Sequence, residues 1–323
     1  MGIGLPRLAS RYRRSEERVN LTWPLIRSVI GLVAISFAAF TVIAMMPSDP
    51  VSIAIHLWNL PATEATYAAL RAEWGLDQPI PFRYLHWLSN FLTGDWGRSF
   101  RTGEPVLREF AERLPLSLFM GLSGLLLAVI LAIPLGFFAA ASPGGAVDKF
   151  SRALSVFVQA VPGFWSGLIL LWVLGVQLKW IKPFSNDATS LILPVLLIAL
   201  HSVATLARVY RHDLIATTRS PHFVTALAKG LSQGAALWRH GHQSALYALL
   251  AAVRSEAGWV VGSTATMEIL FGLPGISQFL VQSIAARDQM VLQAYVMVIA
   301  LWMLLLNAAA QLVIYHLDPR TRL

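Results

Sequence analysis

The sequence predicts an all-α polytopic membrane protein of six transmembrane helices, and three observations carry that expectation. The chain of 323 residues is 56% hydrophobic and only 13% charged, against about 25% charged in a soluble domain. Its apolar residues fall in blocks long enough to cross about 30 Å of hydrocarbon as helix. Short connections carrying Lys and Arg mark one side of the membrane as the inside. The net charge of +8 comes from Arg residues beside these blocks, so anionic lipid headgroups are the expected partner rather than nucleic acid. With no Cys in the chain, a disulfide framework and a thiolate metal site are excluded.

Residues 1–24 form a basic amino-terminal segment with Arg7, Arg11, Arg13, Arg14 and Arg18. The first span is residues 25–46, with Arg27 near its start, where the side chain can snorkel to the interface. The run is too long for the apolar part of a signal peptide and ends in Met-Met-Pro-Ser-Asp-Pro, without the small residues of a cleavage site. It reads as a retained span with the amino terminus inside. Residues 47–113 form a polar excursion outside. Within it, residues 63–74 suit a helix closed by Gly75. Phe82, Leu85, Leu88 and Leu92 recur at helical spacing, so residues 81–93 read as a second helix with one apolar face. Trp58, Trp74, Trp87 and Trp96, with Trp172 and Trp180 farther on, are expected in an interfacial belt.

Residues 114–323 make a five-helix core. Val106, Leu107, Phe110 and Leu114 give its second span an amphipathic, interfacial lead. That span is residues 116–141, with Pro134, and the third is residues 153–178, with Pro162-Gly163. The connection between them holds Lys149 and Arg152 and belongs inside. The fourth span is residues 191–207, followed by Arg208 and Arg211. The fifth runs from near Ala245 to Phe271. Gly272-Leu273-Pro274-Gly275 then opens an outer segment reaching Asp288, and residues 290–315 are the sixth span. Six crossings leave both termini on the cytoplasmic side.

Residues 208–244 are the longest polar interruption in the second half of the chain. Pro221 can start a helix, since its missing N–H would be unpaired there anyway. Gly230 can stop that helix in a left-handed turn, and Ser232 can cap a second helix over residues 233–239. A helix–Gly–helix hairpin results.

The segment Val224-Thr225-Ala226-Leu227-Ala228-Lys229-Gly230-Leu231-Ser232 resembles the signature loop of binding-protein-dependent ABC importer permeases. In that family a Glu-Ala-Ala triplet is followed after three residues by Gly. The dipeptide, oligopeptide and nickel branch commonly reads Thr-Ala-Arg-Ala-Lys-Gly-Leu-Ser. Val224 stands here where many importers have Glu, Leu227 where the branch has Arg, and Ala248 where a Pro is usual. Gly75-Leu76-Asp77-Gln78-Pro79, Gly94-Asp95-Trp96-Gly97-Arg98-Ser99, Pro274-Gly275 and Leu317-Asp318-Pro319-Arg320 also resemble the branch, in colinear order across most of the chain.

The resemblance implies a multi-pass permease of the bacterial inner membrane, with residues 47–113 periplasmic. A periplasmic binding protein delivers the solute, a second homologous permease completes a heterodimer, and two ATPase subunits supply the power. Pro221 and the residues from Val224 to Ser232 are then the loop that docks on an ATPase. ATP and Mg belong to those partners. This chain is expected to bind no cofactor and to catalyse no reaction itself, and it has no GxxxxGK[ST] phosphate loop. The expected solute is a di- or oligopeptide or a peptide-like molecule, with nickel or a metal–chelator (metallophore) complex as the alternative. An ion-gradient-driven secondary transporter would need intramembrane carboxylates, and Glu256 is the one that qualifies in the sequence.

Three residues are candidates for the solute path. His201 lies within the fourth span. Arg254 and Glu256 lie within the fifth, roughly 14 and 17 Å beyond Ala245 at 1.5 Å per residue. An ionisable group at such depth costs at least about 2.5–3.5 kcal/mol, so neither belongs against lipid. Their separation of two residues turns them about 200° apart, so they do not bridge each other. His240-Gly241-His242 points its rings to different faces, and no metal site is expected there.

Overall fold

The computed structural model describes residues 22–46, 49–181 and 188–317. Most of the basic amino-terminal segment, part of the turn after the third span, and all but Leu317 of the Leu-Asp-Pro-Arg terminus lie outside the described residues. The described residues form thirteen α-helices: α1 (Thr22–Ala44), α2 (Pro50–Leu57), α3 (Glu64–Glu73), α4 (Ile80–Thr93), α5 (Val106–Ala141), α6 (Ala146–Ala160), α7 (Gly163–Leu170), α8 (Ile192–Thr217), α9 (Pro221–Ala228), α10 (Gln233–His240), α11 (His242–Phe271), α12 (Ile276–Ala285) and α13 (Gln289–Leu317). Among the described residues four helices are long and apolar enough to cross a membrane, and six crossings result if each of two bent helix pairs is one span.

The third span is not the single helix expected over residues 153–178. It bends by 97° between α6 and α7. Val161 is extended (φ −102°, ψ 119°), as the residue before a proline prefers, and Pro162 cannot donate to a carbonyl one turn back. Helix α6 also starts at Ala146, inside the expected connection, and α7 runs on into a π-helical turn, Leu171–Gln177. The second span and its amphipathic lead are one helix, α5, which continues through Pro115 and Pro134. Helix α8 extends past the expected end at Ala207 and carries Arg208 and Arg211 on helical backbone.

Helices α5, α8 and α11 form the centre. Ala128, Ala132 and Ala139 of α5 and Ala199, Ala204 and Ala207 of α8 are all buried. Such small residues let helix backbones approach closely, which is where packing energy in a bilayer comes from. At one end of this bundle sits a cap made of α2, α3, α4 and α12. Its core joins Tyr84, Trp87 and Phe91 of α4 to Phe40 of α1, Phe110 of α5 and Phe279 of α12. Of the expected apolar face of α4 only Leu88 packs, partly buried, against this core; Phe82, Leu85 and Leu92 are exposed, while the larger aromatic rings on the other face pack inward. Trp58, Trp74, Trp87 and Trp96 are likewise not a belt. Trp74 stacks on Phe100 at 4.8 Å and Trp96 on Phe91 at 4.4 Å, inside the cap.

Asp288 ties the cap to α13. Its carboxylate is fully buried and accepts from Ser99 Oγ at 2.6 Å and from the Arg101 N–H at 3.2 Å, and it caps α13 through the Val291 N–H. Burial pushes the Asp288 carboxyl above its ordinary range, and these hydrogen bonds pull it back.

Candidate functional site

The hairpin forms at the opposite end of the bundle from the cap. Pro221 occupies the first turn of α9. The helix ends where the N–H groups of Gly230 and Leu231 take the carbonyls of Leu227 and Ala226, at 2.9 and 3.2 Å. Gly230 has φ +86°, and a Cβ built there would meet nothing within 4 Å. The glycine is therefore demanded by backbone conformation and not by space. Ser232 Oγ accepts from the Ala235 N–H at 3.3 Å and starts α10. The expected geometry is thus present, with α10 one residue longer than anticipated.

The faces of the hairpin are sharply divided. Phe223 and Ala226 of α9, and Ala236 and Leu237 of α10, are buried in the central core. Val224 and Leu227 are exposed, as are Thr225, Ala228 and Lys229. Of the loop residues singled out in the sequence, Ala226 points inward and holds the hairpin down; the outward face is carried by its neighbours.

The base of the hairpin is anchored to three long helices. His242 hydrogen-bonds Tyr210 of α8 through Nδ1 and stacks on Trp238 at 4.1 Å. Trp238 packs edge-on against Phe137 of α5 at 5.5 Å. Nearby, the buried carboxylate of Asp148 on α6 accepts from the Gly144 N–H at 2.7 Å and pairs with Arg152 at 3.0 Å and with Arg211 of α8 at 2.6 Å. Aromatic packing thus ties α10 and the start of α11 to α5 and α8.

The second cluster lies in the seam between α8 and α11. Glu256 accepts from Ser202 Oγ at 2.9 Å, Thr205 supplies a further hydroxyl, and Arg208 acts on the carboxylate electrostatically. His201 stacks on Trp259 at 3.8 Å, with the rings 7° from parallel. Of the three path candidates, the structure brings His201 and Glu256 to this one seam. Arg254 is exposed on α11 and makes no ion pair among the described residues. Trp259 was legible as a member, being three residues from Glu256 on the same helical face; Ser202 and Thr205 carried no signal of their own.

Glu256 is not the sole carboxylate in the fifth span. Glu268, near the C-terminal end of α11, is fully buried. It accepts from Ser117 Oγ of α5 at 2.6 Å and from the N–H groups of Ser277 and Gln278 at 2.8 and 2.9 Å. Ser117 Oγ in turn accepts from the Ile276 N–H at 2.9 Å. These donors are the first N–H groups of α12, which a helix leaves unpaired. Gly275 is required at the bend, because a Cβ there would stand on the Glu268 carboxylate. The arrangement fixes the 77° elbow between α11 and α12.

Residues 132–323 match the family described as the binding-protein-dependent transport system inner membrane component. Residues 21–121 match the amino-terminal part of such membrane components. Similar curated proteins share nearly their whole length with this chain. The probable peptide ABC transporter permease protein y4tP of Sinorhizobium fredii is 28% identical over 92% of this chain and 97% of its own. The glutathione transport system permease protein GsiC is 28% identical in both Pectobacterium atrosepticum and Escherichia coli K12, in each case over 92% of this chain and 98% of its own.

Proposed function

We infer a solute and a working mechanism from one premise: the chain belongs to the family of inner membrane components of binding-protein-dependent transport systems. Its solute is a peptide or a peptide-like molecule such as glutathione. The observation that carries this reading is end-to-end similarity to permeases named for peptide and glutathione transport, which favours it over nickel or a metal–chelator complex. The energy source is ATP hydrolysed by separate subunits, and a periplasmic binding protein supplies the solute at the cap end.

Helix α9 is the contact for an ATPase. Val224 and Leu227 offer an apolar surface to a groove, and Lys229 a charge beside it. The division of faces supports this, since solvent-exposed apolar side chains on so short a helix gain nothing by themselves. A second permease covers the face of α11 that bears Arg254, because a cation at that depth is costly against lipid. The amino terminus and the hairpin are cytoplasmic, and residues 47–113 are periplasmic.

The test is reconstitution of this chain with its second permease, two ATPases and the binding protein in ATP-loaded proteoliposomes. Uptake of labelled tripeptide or glutathione, dependent on ATP and on the binding protein, is expected. Uptake of nickel or a nickel–chelator complex without peptide uptake would overturn the solute assignment.

A further inference from the structure

The polar seam between α8 and α11 has a chemistry that its own residues leave incomplete. Glu256 lies fourteen positions into α11, about 21 Å along the helix at 1.5 Å per residue. It is only half-buried in the single chain. Its partners are hydroxyls, Ser202 and Thr205, which carry no charge. No described cation comes within ion-pair distance of it. A carboxylate offers about four lone-pair sites, and the two hydroxyls occupy about half of them.

A carboxylate at membrane depth whose hydrogen-bond donors are neutral, with Arg208 acting on it only from beyond ion-pair distance, and which stays partly exposed is poised for a cation from elsewhere. What lies beside it narrows the choice. Trp259 is three residues along the same face, and 38% of it is exposed even though His201 stacks on its ring. An indole face attracts cations, most strongly where water is scarce. Metal ions are disfavoured, since among the described residues no three of His, Cys, Asp or Glu converge to hold one. A primary ammonium suits both surfaces: its three N–H donors fit the free carboxylate sites, and its charge suits the indole.

We propose that Glu256 and Trp259 form a binding site for the free amino terminus of the translocated solute, placed part-way along the path. The site rests on the peptide reading given above and deepens it: the solute class is molecules with an unblocked α-ammonium group. Ser202 and Thr205 act as positioning residues that aim the carboxylate out of the seam. Arg208, about two turns beyond His201 along α8, is near enough to act on the Glu256 carboxylate electrostatically.

The test is direct binding to the assembled transporter, permease pair with ATPases in lipid nanodiscs, without binding protein. The probes are radiolabelled trialanine and its N-acetyl derivative. In the wild type, acetylation is expected to lower affinity about tenfold, which is about 1.4 kcal/mol. Glu256→Gln is expected to lower trialanine affinity by the same factor, and acetylation should then cost nothing more. Glu256→Asp, which keeps the charge, is expected to keep the discrimination. If Glu256→Gln binds trialanine as wild type does, or still discriminates tenfold against the acetyl form, the ammonium assignment is wrong. If wild type binds the two probes equally, the same assignment fails while the peptide reading stands. If wild type binds neither, the peptide reading itself fails and takes this site with it. Should Glu256→Gln not assemble, Trp259→Leu decides: the acetylation penalty is expected to fall about threefold, and an unchanged penalty counts against the site.

Discussion

Glu256 and Glu268 are carried by the same helix, yet their surroundings have opposite characters. Glu268 is closed. Its oxygens meet one hydroxyl and two backbone N–H groups, and no part of it is exposed. Glu256 is open. Its donors come from one neighbouring helix, and the residue stays partly exposed. The difference teaches how to read an ionisable group at membrane depth. Where the chain's own backbone saturates a carboxylate, the group builds the fold; where hydroxyls only aim it, the remaining valence is available to something that arrives.

The comparison breaks most violently at the closed site. Glu268→Ala strands the Ser277 and Gln278 N–H groups and frees Ser117; Ser277 and Ser117 are buried and Gln278 partly so. At about 1–3 kcal/mol per stranded donor, the loss is expected to total about 3–5 kcal/mol. Thermal melting of the detergent-purified chain should show a large drop, and an unchanged midpoint would mean that the elbow does not depend on this carboxylate.

Transmission at the far end comes next. Gly230→Ile places a β-branched residue at φ +86°, where non-glycine residues pay about 1–2 kcal/mol. Because a Cβ meets nothing there, folding should survive while the exit of α9 is reset. Uptake is expected to be lost with assembly near normal, and Gly230→Asn, which tolerates that conformation, is expected to restore it. Equal uptake by the Ile variant would show that the turn transmits nothing.

A gentler probe sharpens the meaning of a closed carboxylate. Ser99→Ala removes one hydrogen bond from Asp288 and is expected to cost about 1.5–3 kcal/mol, loosening the cap without touching the seam. Peptide affinity in the assembled transporter should stay unchanged; a tenfold change would link cap and seam directly. The smallest structural perturbation is Leu227→Cys against Ala226→Cys. The chain has no native Cys, so cross-linking to an ATPase should be strong at Leu227 and weak at Ala226, which is 4% exposed. The reverse pattern would invert the docking face.

Much of this was legible in the sequence because it is written in local chemistry. Pro221, Gly230 and Ser232 announced the hairpin through backbone constraints that act within a few residues. The depth of Arg254 and Glu256 followed from counting. What stayed hidden depended on distant partners. Glu268 sits near a span end, where a carboxylate passes as interfacial, and its donors come from α5 and α12. The inward face of α4 was not legible because Phe82, Leu85, Leu88 and Leu92 recur at helical spacing just as Tyr84, Trp87 and Phe91 do, and only the neighbouring helices decide which set packs. The break at Val161 and Pro162 was visible as a proline, but its 97° bend was not, since many spans absorb a proline, as α5 does twice.

The measurement closest to the central claim sets Glu256→Gln beside Glu268→Gln in the reconstituted transporter and divides ATP-driven tripeptide uptake by the amount of assembled complex. For Glu268→Gln, the amount of complex is expected to fall several-fold while uptake per complex stays near wild type. For Glu256→Gln, the amount is expected to hold while uptake per complex falls about tenfold. If both variants only reduce the amount of complex, the two carboxylates are alike, and the solute path does not pass Glu256.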